Sequence, residues 1–446
     1  MNDKKLIIPG KIVTVDKDEQ ILKNTAVLIT NDLITGFIPT GKIDNMEFEG
    51  EVYEYKNLTL IPGFVQTHVH LGQTLFRGLA DDLQLLDWLQ QKIFPFENAH
   101  SKHSLKASVK IGLNEVLSGG TTTVLDMGTL RYQEVVFEEM IAAGIRGFSG
   151  KCLIDENELF PDFKSSTKDE LKYMNELAKE FHNKEEERIK YGFAPRFVLS
   201  CSEELLKETK SIKKDFPGSV YHTHASENKG EIEAVRKKHN KENIEYFDSI
   251  NVLDEETVLA HCIHLNEDEK QILKKRDVRI AHCPSANLKL GSGIANIPDY
   301  IKRGISVSIG ADGAPCNNNL SAIMEMRLAA LIQKPIHGAD VMDAKTVFKL
   351  ATIEGAIALH LENEIGSIEV GKKADLALID LNTPTNSLSC EENVYSDIVY
   401  SSSNNNVKCV MVNGKWLFRD GRSLIYDEGK IVNEASNELK KLLKRL

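Results

Sequence analysis

Two His-x-His pairs stand out among the 13 histidines of this 446-residue chain. His68-Val69-His70 closes the run LIPGFVQTHVH, and His222-Thr223-His224 is followed at once by Ala225-Ser226-Glu227. On a β-strand alternate side chains share a face, so each pair can aim two imidazoles at one point, where a divalent metal could sit. One such pair alone reads equally well as polar residues at a strand end. Here His261 in VLAHC, His282 in RIAHC and Asp312 in SIGAD also end apolar runs. Imidazoles and a carboxylate at five β-type run ends point to a metal centre. His182, His239, His337 and His360 fall in helical or loop contexts, and His264 lies past its strand end. His100 and His103 sit near a helix start, where a surface position is expected. Alternation turns Cys262 and Cys283 away from the neighbouring histidines and into the core.

The elements that must position these residues alternate between residues 61 and 367. TTTVLDMG, GIRGFSGKCLI, IKYGFAPRFVLS, GSVYHTHAS, TVLAHCIHL, DVRIAHCPS and ISVSIGADGA read as strands, separated by helical stretches such as SLKASVKIGLNEVLSGG and NEDEKQILKKR. Repeated strand–helix units predict a parallel sheet. Their length fits a (β/α)8 TIM-type barrel of about 250 residues with insertions. No GxGxxG follows the first strand, which argues against a doubly wound dinucleotide-binding sheet. In a barrel the carboxyl ends of the strands open on one mouth, and that is where the histidines and Asp312 fall. The flanks, 1–60 and 368–446, read as short β runs and turns, and Asn413-Gly414 is a two-residue hairpin signal. The two flanks are expected to meet in a small β-sandwich domain, with 61–367 as the barrel.

Fifty-five Lys and Arg against 66 Asp and Glu give a net charge of −11, which disfavours binding to nucleic-acid backbones. No run approaches the roughly 18 apolar residues of a membrane span, and the N-terminus carries no signal-peptide core. Seven scattered cysteines without a CxxC fit a reducing compartment, so a cytoplasmic location is expected.

The segments PGFVQTHVHLGQTLFRGLADDLQLLDWLQQKIFPFE, HTHASE, AHC, AHCPSANLKLGSG, GADGAPCNN and GSIEVGKKADLALIDL resemble the amidohydrolase superfamily, in its branch of aminopurine deaminases and triazine hydrolases. The resemblance spans nearly the whole chain. It implies metal ligands at His68, His70, His224 and Asp312, holding one ion per subunit, with Zn2+ the usual occupant and Fe2+ the alternative. It makes Glu227 the proton shuttle and gives His261 the task of polarising the attacked group or steadying the nucleophile. His282 falls to an outer position. His222 faces the same way as His224 but deeper, and is left out of the ligand set. Lys151, in FSGKCLI, is the lysine best placed for the carboxylated bridge of dinuclear relatives. The Glu three residues after the third ligand is instead the mononuclear arrangement, which leaves Lys151 a structural role. The implied catalytic set is Glu227, His261 and Asp312. A metal lowers the pKa of water towards about 7, Asp312 and His261 orient the nucleophile, and Glu227 moves a proton to a ring nitrogen before ammonia leaves.

For the substrate, the stretch around Trp88 and Glu97 resembles methylthioadenosine and S-adenosylhomocysteine deaminases, in which the matching residues contact the nucleoside and the Glu accepts ribose hydroxyls. Glu325-Met326-Arg327-Leu328 follows the same group. Gln73 with Arg196-Phe197 resembles guanine deaminases instead, where the Gln and Arg meet the purine edge. Trp88 and Glu97 also lie in an amphipathic stretch, where Trp is most often core and Glu most often solvated. The expected partner is therefore a small-molecule aminopurine: an adenosine-type nucleoside such as 5′-deoxyadenosine, methylthioadenosine or S-adenosylhomocysteine. Guanine deamination and s-triazine hydrolysis are the alternatives. Relatives commonly form dimers or tetramers, so a homo-oligomer is expected. Cys316, in APCNN, either lines the pocket or holds its loop.

Overall fold

A computed structural model of the protein describes residues 3–386 and 393–446. Eight strands carry the β-type runs of the barrel region: Phe64–His70, Thr121–Asp126, Arg146–Ser149, Ile189–Pro195, Val220–Ala225, Thr257–His261, Arg279–His282 and Ser306–Ile309. They pair in that order, each parallel to the next. The short strand Asp312–Gly313 then pairs with Val69 and His70 of the first strand, and Thr67 Oγ1 lies 2.7 Å from Ser308 Oγ. The sheet thus curls back on its first strand, as in a TIM-type barrel. Its strands are buried almost throughout, which is why they read as continuous apolar runs rather than alternating ones. The helix Lys102–Ser118 shows how the outer layer is built. Ser101 and Ser104 form its capping box, and Leu105, Val109, Leu113 and Val116 turn inward at helical spacing.

The two flanks meet in one nine-stranded sheet. Within it Leu376–Ile379 runs antiparallel to Glu51–Pro62, the strand that leads directly into the barrel. Asn413 and Gly414, with φ of 46° and 70°, turn the hairpin between Val407–Val412 and Lys415–Arg419. Positive φ at both positions is the requirement that favours Asn-Gly there. Six cysteines lie among the described residues, all buried and unpaired; Cys390 lies outside them. Among the described residues no helix is long and apolar enough to cross a membrane.

Arg146 clamps the sheet to the barrel. Its Nε donates to Asp375 Oδ2 at 2.7 Å and its Nη2 to Asp375 Oδ1 at 3.2 Å, with both side chains about 2% exposed or less. Removing one partner of a buried pair strands the other charge, at about 3–5 kcal/mol. Asp375→Ala should therefore lower stability by about that amount in denaturant titration while the folded fraction keeps its specific activity. A midpoint within error of the wild type would refute this.

Candidate active site

The four expected metal ligands converge at the carboxyl end of the barrel. His68 Nε2 lies 3.3 Å and His70 Nε2 3.4 Å from Asp312 Oδ1, and His70 Nε2 lies 3.3 Å from His224 Nε2. Ligand atoms about 2.0–2.1 Å from one tetrahedral ion stand about 3.3 Å apart, so this spacing suits a shared cation. His261 Nε2 is 3.8 Å from Asp312 Oδ2 and 3.5 Å from Glu227 Oε2.

The hydrogen bonds tell which nitrogen each ring turns inward. His68 Nδ1 lies 2.8 Å from His222 Nε2, His224 Nδ1 donates to Arg196 O at 2.7 Å, and His261 Nδ1 donates to Asn287 Oδ1 at 2.9 Å. His68 Nε2 and His261 Nε2 are left buried without a hydrogen-bond partner among the described residues. Outer nitrogens engaged and inner ones free is the arrangement that fixes imidazoles for a metal. Burial holds His70 and His224 well below the usual histidine pKa, so they stay neutral, as ligation requires. Burial alone would raise Asp312, but His68, His261 and His70 around it hold the carboxyl well below the usual range. Glu227 goes the other way: burial, then the nearby Asp312 and Glu231 carboxylates, push it well above its ordinary value. Two carboxyl groups driven apart in this way can divide the work, one as a fixed anion and one as a proton carrier.

The backbone is bent to make these contacts. Ser226, His261 and Asp312 sit at φ of 51°, 73° and 61°, in the left-handed region that costs a non-glycine residue about 1–3 kcal/mol.

Beside the ligands lies a pocket. Its lining joins polar groups (His70, Gln73, Arg196, His224, Glu227, Glu231, His261 and Asp312) with apolar ones (Leu85, Trp88, Leu89, Phe197 and Leu290). Glu97 stands one layer back, buried, with Oε1 accepting from Gln73 Nε2 at 2.8 Å and Oε2 from Arg196 Nη1 at 2.9 Å. It is neither solvated nor a bare acceptor at the cavity wall. The stretch carrying Trp88 and Glu97 is also not one regular helix. Leu85–Trp88 and Phe94–Asn98 are α-helical, while Leu89–Ile93 widens into a π turn just before Pro95, which has no N–H to give.

The expectation for His100 needs correcting. His100 is not at the surface; it is buried, with Nε2 2.9 Å from Gly72 O and Nδ1 3.1 Å from Ser104 Oγ. It braces the turn after His70. His222, outside the expected ligand set, belongs to the site through its bond to His68; its place in the second His-x-His is the available signal. Asn287 carries no mark in the sequence, because nothing there pairs it with His261, 26 residues away. His282 is fully buried with both nitrogens unpartnered among the described residues, and it does not line the cavity. Lys151 pairs with Glu170 at 2.6 Å, and Cys316 Sγ donates to Gly313 O at 3.1 Å within its own loop.

Residues 59–417 match the family model described as the amidohydrolase family. The chain belongs to the amidohydrolase family. It is 36% identical over 443 residues to a 5′-deoxyadenosine deaminase of Methanobrevibacter smithii, covering 99% of each chain. It is 33% identical over 438 residues to a 5-methylthioadenosine/S-adenosylhomocysteine deaminase of Thermoanaerobacter pseudethanolicus, covering 97% of this chain and 98% of the relative. The crystal structure of an adenosine deaminase from Xanthomonas campestris with bound zinc is similar, with a TM-score of 0.92 at 27% identity over 99% of both chains. Together with the His68, His70 and Asp312 group, membership of the amidohydrolase family supports a divalent metal at this site.

Asn287→Ala would free the His261 ring to turn. Outer hydrogen-bond partners of metal-site histidines are typically worth about 10–100-fold in metal affinity or activity. A fall of about that size in kcat/KM is expected, and unchanged kcat/KM would show that His261 needs no such support.

Proposed function

We propose that this amidohydrolase is a hydrolytic deaminase of an adenosine-type nucleoside, such as 5′-deoxyadenosine, methylthioadenosine or S-adenosylhomocysteine. The product is the oxo nucleoside plus ammonia. The observation that carries the reading is Glu227 Oε2, 3.5 Å from His261 Nε2, in a pocket lined also by His70, His224 and Asp312 and by the aromatic Trp88 and Phe197. An acid/base, a metal-ligating cluster and a slot for a flat ring suffice for amine displacement by water. The metal proposed is one Zn2+ per subunit, held by His68, His70, His224 and Asp312; the zinc-bound adenosine deaminase supports that choice over Fe2+.

When bound, the metal supplies Lewis acidity that makes water a nucleophile near neutral pH. The protein's own groups do the rest. Trp88 and Phe197 hold the ring and keep bulk water out. Asn287 holds His261 so that its Nε2 faces the reacting carbon, and Asp312 fixes the angle of attack. Glu227, whose carboxyl burial pushes well above its ordinary pKa, gives a proton to the ring nitrogen beside the amine-bearing carbon, which turns the ring into an electron sink. The carboxylate then takes a proton from the attacking water and passes it to the amine, which departs as ammonia, and the proton left on the new hydroxyl returns to Glu227 as the ring C=O forms; deaminases with a non-ligand Glu on another fold share this division. Gln73 and Arg196 meet the polar edge of the substrate, and Glu97 acts by holding both of them.

The division at 60/61 and 367/368, and the reading of the flanking sheet as a β-sandwich domain, belong to this proposal; the pairing of Leu376–Ile379 with Glu51–Pro62 supports it. So do a homo-oligomeric state, from the resemblance, and a cytoplasmic setting, supported by the unpaired cysteines.

The test is ammonia release by metal-loaded protein from 5′-deoxyadenosine, methylthioadenosine, S-adenosylhomocysteine, adenosine, guanine and a melamine-type triazine. The adenosine-type compounds should be the substrates. Preference for guanine would mean that Gln73 and Arg196 read a base instead, and preference for the triazine would point to the other branch of the family.

A further inference from the structure

We propose that Glu325 is a positioning residue for the reaction, tying the loop that carries Asp312 to the helix that orients His261. The inference rests on the deaminase reading above. Glu325 lies on the helix Ala322–His337 and is fully buried. Its Oε1 accepts from Ser285 Oγ at 2.5 Å and from Asn317 Nδ2 at 2.8 Å, and its Oε2 accepts from Ser285 N at 3.1 Å.

Each donor leads to a reacting group. Ser285 opens the helix Pro284–Lys289, and Asn287, two residues on, accepts from His261 Nδ1 at 2.9 Å. Asn317 Nδ2 also donates to Ala311 O at 2.7 Å, and the next residue is Asp312, held at φ 61°. One carboxylate therefore ties the helix whose Asn287 holds His261 to the segment that carries Asp312. Their facing atoms, Nε2 and Oδ2, stand 3.8 Å apart.

The chemistry of the side chain explains why it is an acid. Three donors converge on its two oxygens, and a carboxylate accepts all three without offering a donor of its own. An amide of the same shape would point an NH2 group at either the Ser285 N–H or the Asn317 amide. All three donors are neutral, so burial pushes the carboxyl up to about 7. Packing alone gives no reason to bury an acid at that expense. Holding two catalytic segments at a set distance does.

The test compares Glu325→Gln and Ser285→Ala with the wild type. Ser285→Ala removes the hydroxyl contact but leaves the backbone N–H bond, and it keeps the test open should the first variant fold poorly. In Glu325→Gln, kcat per folded molecule should fall about tenfold or more, with KM within about twofold and bound metal unchanged, while the thermal midpoint drops because a buried NH2 now faces a donor. The visible absorption of the Co2+-loaded protein should shift, because Asp312 is a ligand whose angle changes. Ser285→Ala should show a smaller change of the same kind, and the double variant should fall no further than Glu325→Gln. Wild-type kcat and an unaltered cobalt spectrum in Glu325→Gln would overturn the proposal. So would a loss of kcat that merely follows loss of folded protein. Should the wild type release no ammonia from any of the nucleosides, the deaminase reading fails, and the cobalt spectrum still decides whether Glu325 positions Asp312.

Discussion

Replacing Glu227 with Gln is expected to stop turnover while leaving the protein folded and its metal bound. The Gln side chain has the same shape, and burial with the neighbouring Asp312 already pushes the Glu227 carboxyl well above its ordinary pKa, so the exchange asks little of the fold. What it removes is the transferable proton. Glu227 Oε2 faces His261 at 3.5 Å and Oε1 has no partner among the described residues, so a substrate ring nitrogen is the natural recipient. General acid–base catalysis is worth about 10²–10⁴ in rate. A fall in kcat of that order, with metal content and thermal midpoint unchanged, is the expected result. Activity within tenfold of the wild type would show that another group carries the proton.

Asp312→Asn should have the other large effect, acting on the metal itself. Asp312 is the one carboxylate among the four proposed ligands, and its Oδ1 faces both His68 and His70. Asn keeps the shape but loses the negative charge that offsets a divalent cation, and its NH2 group points a donor at a cation or at an imidazole. Outer hydrogen-bond partners are worth about 10–100-fold in metal affinity, so loss of a charged ligand should exceed about a hundredfold. Competition with a chelator should show that weakening, and deaminase activity should disappear with it. Retention of stoichiometric metal through dialysis would contradict the assignment of Asp312.

Much of the site is legible in the sequence because it lies on strand ends. Period-two spacing marks His68 with His70 and His222 with His224, and each apolar run stops at the residue that reaches the mouth. The eight runs pair in chain order, so a repeated strand–helix pattern is enough to place His261 and Asp312 beside the others. What the sequence does not disclose is which loops meet once the barrel closes. Arg196 and Glu97 are 99 residues apart and share a hydrogen bond, and nothing local in either segment requires it. The same holds for Ser285 and Glu325, 40 residues apart. Helical periodicity likewise leaves the partners of Glu97 unmarked: the stretch is interrupted by the π turn at Leu89–Ile93, and Glu97, on Phe94–Asn98, accepts from Gln73 and Arg196. His100 escapes the sequence for a related reason: its partner Gly72 belongs to a turn whose path the sequence leaves open.

The central claim, that activated water displaces a ring amine, is tested most directly with 5′-deoxyadenosine and metal-loaded protein in 18O-enriched water. The expected result is one ammonia per product molecule, with the heavy oxygen on the ring carbon that lost its amine, and neither in Glu227→Gln. Intact nucleoside after prolonged incubation with the metal fully bound, or a product without the label, would contradict it.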